Sequence, residues 1–518
     1  MPKPHISRGG YVVAALFLLY LLSTLAWVRK GPKVWVDEPW MSIPSYQLIT
    51  EGKLNNPVIV GDLGREKHNL DPSMTYALSL AASFKAFGVG VFQGRLVSAL
   101  AMFATTVLAF LLARRLFDER VALLGVLFLM VNNIAFVSAA TIRAETMVAL
   151  VAMLSCYLFV LGDERERLRY FALAGLVAGV GLHVHPNAFL GLVAICTLFL
   201  YRFGFRGLFR APFWTFAGFV LMGVAPYAAY VFIEDYDNDF RDFLAQIGGR
   251  AKPLAESNFL VDTLKAEFRR YTLYVFFPKR AFIALLEGVA LVYALASRSR
   301  SLRLLGILVA VHLVLFPFLI VNRTARYFTV LMPFVSILVA RLMMDLAGNP
   351  RSLVDLRRSI TGGRRLGLVA VLLGLMYFGN QLGGNAWLVY KHRHNEYYSF
   401  IEKLDAHIPD GARIWGSITF WFGFKDNPYS SQYSYAKDID TFRPEYVILY
   451  DDDTWGKTSS TTGRQRDISL MADTRHILET LAEERGTFVA MVKDPVYGEV
   501  EIQRIDWSDA RSRRAGDD

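Results

Sequence analysis

The chain has 518 residues, 54% hydrophobic and 14% aromatic, with more apolar runs of about 20 residues, the spanning length, than a soluble enzyme of this size carries. Its formal charge of +10 comes largely from arginines in short clusters between apolar segments, which is the pattern of cytoplasmic loops and argues against a nucleic-acid surface. The two cysteines, Cys156 and Cys196, lie inside apolar runs, so no disulfide framework is implied.

The first apolar run, Tyr11 to Val28, lacks a small-residue cleavage site and is followed by Arg29 and Lys30; it reads as a retained signal anchor. Further spans are predicted near 94–113, 121–140, 146–161, 170–184, 187–201, 212–233, 281–296, 303–321, 327–346 and 366–389, with boundaries good to about four residues. The predicted fold class is a polytopic α-helical membrane protein of about eleven transmembrane helices, followed by a C-terminal extracytoplasmic α/β domain. The proposed division is 1–390 and 391–518.

The long connection 29–93 contains Pro72 to Phe87, a mostly apolar helix pattern suited to lie along the interface. The tail opens with a helix-like run from Tyr397 to Ala406, stopped at Pro409-Asp410-Gly411. Strand-like runs follow at 412–422, 445–451, 487–494 and 500–505, with a flexible loop at 456–467.

The arginine clusters fix an orientation. Arg114, Arg115 and Arg120 share one side with Arg165, Arg167 and Arg169, with Arg202, Arg206 and Arg210, with Arg298, Arg300 and Arg303, and with the cluster from Arg351 to Arg365. The positive-inside rule makes that side cytoplasmic, with Lys3 and Arg8 inside and the tail outside. Arg29, Lys30 and Lys33 run against the rule and are outvoted. The outer side then collects loop 29–93, the turns at Arg143–Glu145 and His183–Pro186, loop 234–280, the turn Asn322–Arg326 and the tail. Polar chemistry gathered at one face suits an enzyme better than a transporter, which scatters polar groups near the midplane.

Asp37 and Glu38 in "KVWVDEPW" are the foremost site candidates, flanked by Trp35 and Trp40. Acids at membrane depth are costly and mark function by default; the competing reading is a solvated loop with a Trp belt. Sugar transfer from a polyprenyl phosphate needs a base for the acceptor and cations for the departing phosphate. Asp37 suits the base, and Glu145 can orient the acceptor or share a metal. Arg143 and Glu145 read alternatively as a helix-capping ion pair. His183 and His185 flank a turn as H-x-H-P, a spacing for phosphate or sugar contact or for part of a metal site that Asp37, Glu145 or His68 would complete in space. Arg326 before Tyr327, like Arg323, suits phosphate recognition or a buried Arg–Tyr anchor. The glycines at 88, 90 and 94 have the wrong spacing for a dinucleotide loop. Asp235, Asp237 and Asp239 lack the Gly and Glu of a calcium loop, and Asn322-Arg323-Thr324 is a sequon.

In order along the chain, "VDEPW", "LDPSMTYALSLAASFKAFG", "GRLVSALAMFATTVLAFLLARRLF", "ATIRAETMVALVAMLSCYL", "LAGLVAGVGLHVHPNAFLGLVAI" and "ARYFTVLMPFVSILVA" resemble the C-type (GT-C) glycosyltransferases of the protein O-mannosyltransferase and aminoarabinose-lipid A transferase group. The resemblance covers most of 10–390. It implies a polyprenyl-phosphate sugar donor used outside the cytoplasm without a nucleotide. It gives Asp37 the base role, Glu38 and Glu145 supporting acidic roles, and Arg143 and Arg326 phosphate or substrate contacts. Two departures stand out: Asp71 occupies a position commonly basic in the group, and the Lys of the Gly-rich pair is missing, with His68 and His185 as compensating candidates. The expected function is an integral-membrane glycosyltransferase of the cell envelope, acting on a lipid, glycan or protein acceptor, with a divalent metal as a candidate cofactor at Asp37, Glu145 and His185. The alternatives are a polytopic lipid or solute transporter or flippase, and a non-catalytic scaffold of polysaccharide assembly.

Overall fold

A computed structural model describes residues 8–233, 240–241, 244, 259–270, 280–319, 325–348, 365–434, 439–450 and 476–508. The aspartates at 235–239, the sequon at 322–324, Lys3, Arg351 to Arg364, the loop 456–467 and most of the loop 234–280 lie outside the described residues.

Helices occupy the predicted apolar runs. In order they are α1 (Arg8–Lys30), α2 (Asp37–Thr50), α3 (Met74–Phe87), α4 (Val91–Leu116), α5 (Glu119–Val131), α6 (Asn133–Ala139), α7 (Glu145–Arg165), α8 (Leu168–Leu182), α9 (Ala188–Phe203) and α10 (Ala211–Ile233). Then follow α11 (Phe259–Arg270), α12 (Ala281–Ala296), α13 (Arg300–Leu319), α14 (Met332–Leu346), α15 (Arg365–Lys391) and α16 (Tyr397–Asp405). Among the described residues six helices are long and apolar enough to cross a membrane, or seven if one bent pair counts as a span. The protein is thus a polytopic α-helical membrane protein, with fewer self-sufficient spans than the apolar runs suggest.

The bent pair is α5 and α6, which meet at 62° where the sequence reads as one span. Asn132 ends α5, and its side-chain oxygen accepts from Ala135 N at 3.0 Å to cap α6. The groups freed by the break find partners on α15: Asn133 N donates to Gln381 Oε1 at 2.9 Å, and Asn385 Nδ2 donates to Val131 O at 2.7 Å. Irregular backbone at membrane depth needs such internal partners. The bend carries the chain into the Ile142–Ala144 turn that sets Arg143.

Close packing of α8 on α10 is made possible by glycine. A Cβ at Gly175 would overlap Phe216 O, and one at Gly179 would overlap Val220 O, the small-residue contact by which membrane helices approach closely.

The helix ends sort into two groups. At one end Arg115 of α4 pairs with Glu164 of α7, and Asp163 accepts from Arg202 of α9 and Arg300 of α13, both at 2.5 Å. Four of the arginine clusters, those around Arg115, Arg165, Arg202 and Arg300, meet there. α7 has 21 residues, so its other end lies about 31 Å away. At that far end the starts of α2, α4 and α7 meet the ends of α1, α8 and α15.

α2 is an element the sequence reading missed. Its first turn holds Asp37, Glu38 and Pro39, acids and a proline where a helix start favours them. α3 forms as expected, burying Tyr76, Leu80 and Phe84 at four-residue spacing.

Among its described residues the tail forms a five-stranded sheet in the order β2-β1-β3-β5-β4. The strands are β1 (Ile414–Gly416), β2 (Tyr429–Ser431), β3 (Tyr446–Tyr450), β4 (Gly486–Asp494) and β5 (Gly498–Ile505). β1 runs parallel to β2 and β3, while β5 runs antiparallel to β3 and β4. β2 is three residues long and ends in two serines, too short and polar to show as a strand in the sequence. The sheet docks on the connections after α1 and after α2: Val34 N donates to Tyr497 Oη at 3.1 Å, Lys33 donates to Tyr450 Oη, and Ser431 N donates to Val58 O at 3.0 Å.

Candidate active site

Asp37 is the first residue of α2 and Glu145 the first of α7, so two helix N-termini meet with their carboxylates forward. Between them lie Arg143 and Arg326. Asp37 Oδ2 accepts from Arg143 Nη1, from Arg326 Nη2 at 3.0 Å and from the Trp35 indole at 2.8 Å. Glu145 Oε1 accepts from Arg143 Nη2 at 2.6 Å and faces Arg326 Nε at 3.8 Å. Arg143 is held by its backbone as well, because Ser98 Oγ bonds to both its N, at 3.3 Å, and its O, at 3.2 Å.

This four-residue cluster is partly open. Arg143 and Glu145 are buried, whereas the side chains of Asp37 and Arg326 are 27% and 30% exposed. Arg326 Nε has no hydrogen-bond partner among the described residues. Burial works against ionisation of Asp37, but Arg143 and Arg326, with the Trp35 bond, outweigh it and hold the carboxyl below its ordinary range.

The remaining sequence candidates separate by geometry. Glu38 is fully buried and turned away from Asp37. It accepts from Arg95 Nε and Nη2, both at 2.7 Å, from Ile142 N at 3.0 Å and from Trp35 N at 3.1 Å. These bonds join the starts of α2 and α4 to the turn that carries Arg143, so Glu38 braces the site and presents no free oxygen to a substrate. Arg95 escaped the sequence reading, although a lone Arg inside an apolar helix is the signal that finds it.

His183 is also fully engaged. Nε2 donates to Gly223 O at 2.8 Å and Nδ1 accepts from Thr75 Oγ1 at 2.6 Å, a tautomer set by the carbonyl. It ties α8 to α3 and α10, so no ring nitrogen is left for phosphate. His185 points elsewhere. Its Nδ1 accepts from Asn187 N at 3.1 Å, leaving Nε2–H to donate, and its ring lies 6.1 Å from that of Tyr327. Burial, reinforced by Arg143 and Arg326, holds its pKa below the ordinary value against the pull of Glu145 and Asp71, so the imidazole is neutral at pH 7.

Tyr327 is buried beside Phe316 and Leu190, with the Arg326 guanidinium 6.0 Å from its ring. It anchors the segment from which Arg326 reaches the cluster. His68 lies in the 51–73 connection, its N–H closing a turn on Gly64 O at 3.1 Å. Asp71 accepts from Arg65 Nε at 3.0 Å and Nη2 at 3.2 Å. Trp40 packs within the protein, 4.9 Å from the Arg65 guanidinium and 5.2 Å from the Tyr433 ring.

The donor set does not fit a metal ion. Asp37 and Glu145 already face two guanidinium groups, which match their charge and would repel a divalent cation. Among the described residues no three His, Cys, Asp or Glu side chains form a ligand group. His68 and His185 therefore do not complete one with the acids.

A family profile described as dolichyl-phosphate-mannose-protein mannosyltransferase matches residues 71–230. No curated protein matches the chain. Among solved structures, ArnT from Cupriavidus metallidurans bound to undecaprenyl phosphate aligns with 14% identity and TM-score 0.62, over 96% of this chain and 98% of that one. The archaeal oligosaccharyltransferase AglB from Archaeoglobus fulgidus, in complex with an inhibitory peptide and a dolichol-phosphate, aligns with 11% identity and TM-score 0.55, over 96% and 75%. A further structure of the A. fulgidus enzyme, in complex with Zn and sulfate, has 12% identity and TM-score 0.51, over 94% and 72%. The chain therefore has a GT-C-like glycosyltransferase fold, C-terminal β-containing domain included.

Proposed function

We propose that the protein is an integral-membrane glycosyltransferase that moves a sugar from a polyprenyl-phosphate donor to an acceptor outside the cytoplasm. The observation that carries this reading is the joining of Asp37, Arg143, Arg326 and Glu145 at the end of the bundle opposite the arginine clusters. By the positive-inside rule that end is extracytoplasmic. The N-terminus is then cytoplasmic, and residues 391–518 form an external domain seated on the transferase part, 1–390. The undecaprenyl phosphate bound by ArnT and the dolichol-phosphate bound by AglB support a polyprenyl carrier here.

In this reading Asp37 takes the proton of the acceptor hydroxyl. The acceptor oxygen bonds to the anomeric carbon, the bond from that carbon to the phosphate oxygen breaks, and polyprenyl phosphate leaves with the electron pair. Charge grows on the phosphate as it departs, so donors aimed at it stabilise the transition state most. Arg326 supplies its unused Nε–H, Arg143 its guanidinium and His185 its Nε2–H, near the N-termini of α2 and α7. A mostly apolar cavity of about 240 Å³, with Arg280 and Glu287 also on its wall, begins beside Arg326 at Ala325 and runs along Phe328, Met332, Ile283 and Leu313, giving room for the first part of the prenyl chain.

The resting cluster suggests how donor binding readies the base. An ion-paired Asp37 is a weak base. A phosphate that draws Arg326 to itself removes one of the two charges suppressing the Asp37 pKa and raises its basicity as the donor seats. Glu145 keeps Arg143 in place while this happens. No step needs a metal at these residues.

The test is incubation of the purified protein in lipid with a panel of radiolabelled polyprenyl-phosphate sugars. Label leaves one carrier with the wild type and stays on it with Asp37→Asn. Wild-type turnover by that variant removes Asp37 from the chemistry. No label loss from any donor, with a folded protein, overturns the transferase reading.

A further inference from the structure

Arg29 and Lys30 break the positive-inside pattern, and the transferase chemistry does not use them. They line a groove of about 1230 Å³ between the bundle and the C-terminal domain. Its walls are the end of α1, the start of α4 and the start of α16, with Arg95, Asn395 and Lys425 also lining it. A site of 300–1,000 Å³ takes a drug-sized ligand, so this one has room for a phospholipid headgroup and glycerol.

The groove carries four cations, Arg29, Lys30, Arg95 and Lys425, and among the described residues all but Arg29 have an acidic partner, which leaves a net positive charge. Glu396 is its one acidic lining residue among those described, paired with Lys30 at 2.9 Å. Glu38 neutralises Arg95, and Asp426 pairs with Lys425 at 2.5 Å. Arg29 is exposed and has no partner among the described residues. A second feature is independent of charge. Asn395 is 5% exposed; its Nδ2 donates to the carbonyls of Lys30, Gly31 and Pro32, but its Oδ1 is buried without a donor. A buried acceptor left unmade is costly, so the groove asks for a donor from its occupant.

The surroundings are those of a lipid–water boundary. Trp387 and Tyr390 stack at 5.8 Å on the outer end of α15, both exposed, as interfacial aromatics are. Below the groove α1 shows Leu18, Leu19 and Leu22 to the outside, each more than half exposed.

From this we propose that the groove binds an anionic phospholipid with a hydroxyl-bearing headgroup, drawn from the outer leaflet. The phosphate meets Arg29, Lys30 and Lys425, a headgroup hydroxyl donates to Asn395 Oδ1, and the acyl chains lie along α1. The lipid joins α1 to the C-terminal domain at the bundle end that carries Asp37. The outward cations are thus kept for recognition at the cost of a weaker topology signal.

The test measures retained lipid directly and does not depend on transfer. Purified protein is exchanged into phosphatidylglycerol or phosphatidylcholine nanodiscs, extracted in mild detergent and weighed by native mass spectrometry. Wild type keeps phosphatidylglycerol at least tenfold over phosphatidylcholine, and inorganic phosphate leaves no adduct. Arg29→Gln with Lys30→Gln lowers that preference to near unity, while its melting temperature in phosphatidylcholine stays within a few degrees of wild type. Asn395→Leu lowers the preference for phosphatidylglycerol over phosphatidic acid, which lacks the hydroxyls. Equal retention of the two nanodisc lipids by wild type, or an unchanged preference in the double variant, overturns the proposal. A phosphate adduct without lipid preference shows an anion site only and overturns the lipid assignment.

Discussion

Asp37 and Glu38 are neighbours in the chain and opposites in the structure. Successive helical residues point about 100° apart, so a helix that turns Asp37 toward Arg143 and Arg326 must turn Glu38 toward Arg95. The two acids then meet different physics. Asp37 keeps 27% of its side chain exposed and shares its arginines with Glu145. Glu38 is fully buried and its two oxygens receive four hydrogen bonds. A carboxylate that must move protons needs access to substrate, whereas one that must hold a turn needs every lone pair occupied. In the proposed transferase, burial and saturation, more than charge, would separate Asp37 as the reactive acid from Glu38 as the structural one.

The sharpest way to break this contrast is to remove each charge in turn. Asp37→Asn is expected to lower transfer by about a thousandfold, in the range of a lost general base, with normal insertion and only the modest fall in melting that the lost, partly exposed ion pairs bring. Glu38→Gln is expected to do the reverse. It strips the counter-charge from buried Arg95, a change that costs about 3–5 kcal/mol, so the yield of folded protein drops before any kinetics can be read. Replacing both partners, Glu38→Met with Arg95→Met, recovers much of that loss, because matched apolar residues avoid the unpaired charge. If Glu38→Gln melts normally and only kcat falls, Glu38 belongs with Asp37 after all.

The second prediction sharpens the reactive half through pH. Asp37 must be ionised to act as base, and its pKa in the free enzyme lies below the ordinary value. The acidic limb of kcat/KM therefore falls below the pH at which an ordinary aspartate protonates. The same linkage makes the ion-paired Asp37 stabilising above the unfolded-state pKa, a contribution lost as pH falls through the folded value. Arg326→Gln removes a cation and should move the limb upward while lowering kcat/KM by about 10- to 100-fold through the lost charged hydrogen bond. A limb that stays in place would show that Asp37 and Arg326 are not coupled during turnover.

Much of this arrangement was legible in the sequence, and for identifiable reasons. Apolar runs and arginine clusters report the helices and their two ends, since both follow from transfer energies of individual residues. Asp37, Glu145, Arg143 and Arg326 were found because charge beside a membrane helix is costly and rarely idle. The division of labour was not legible. Glu38 looks like Asp37 until a helix is known to start at Asp37, and α2 was hidden because Pro44 and scattered polar residues blur its period. The break at Asn132 was hidden because its partners, Gln381 and Asn385, lie some 250 residues away. The two guanidinium groups beside the metal candidates Asp37 and Glu145 were hidden for a similar reason: Arg143 and Arg326 lie far apart in the chain and meet the acids only in the fold.

The smallest expected effects concern the two histidines, which repeat the Asp37–Glu38 contrast in miniature. They stand two residues apart in His183-Val184-His185, yet one ring is saturated and the other open. His183→Ala leaves Gly223 O and Thr75 Oγ1 without their partner, an expected loss of about 1–3 kcal/mol of stability with little change in KM once the folded fraction is corrected. His185→Ala should leave melting nearly unchanged and raise KM for the lipid-linked donor by a few-fold to about tenfold, the worth of one neutral hydrogen bond to a charged phosphate. Because the His185 pKa is lowered, the imidazole donates from its neutral form. That contribution should persist above pH 7, whereas a cationic contact would fade as the pH rises past the ordinary His value. A donor KM that climbs steeply between pH 6 and pH 8 in the wild type, and flattens in His185→Ala, would mean that the working form of His185 is the imidazolium.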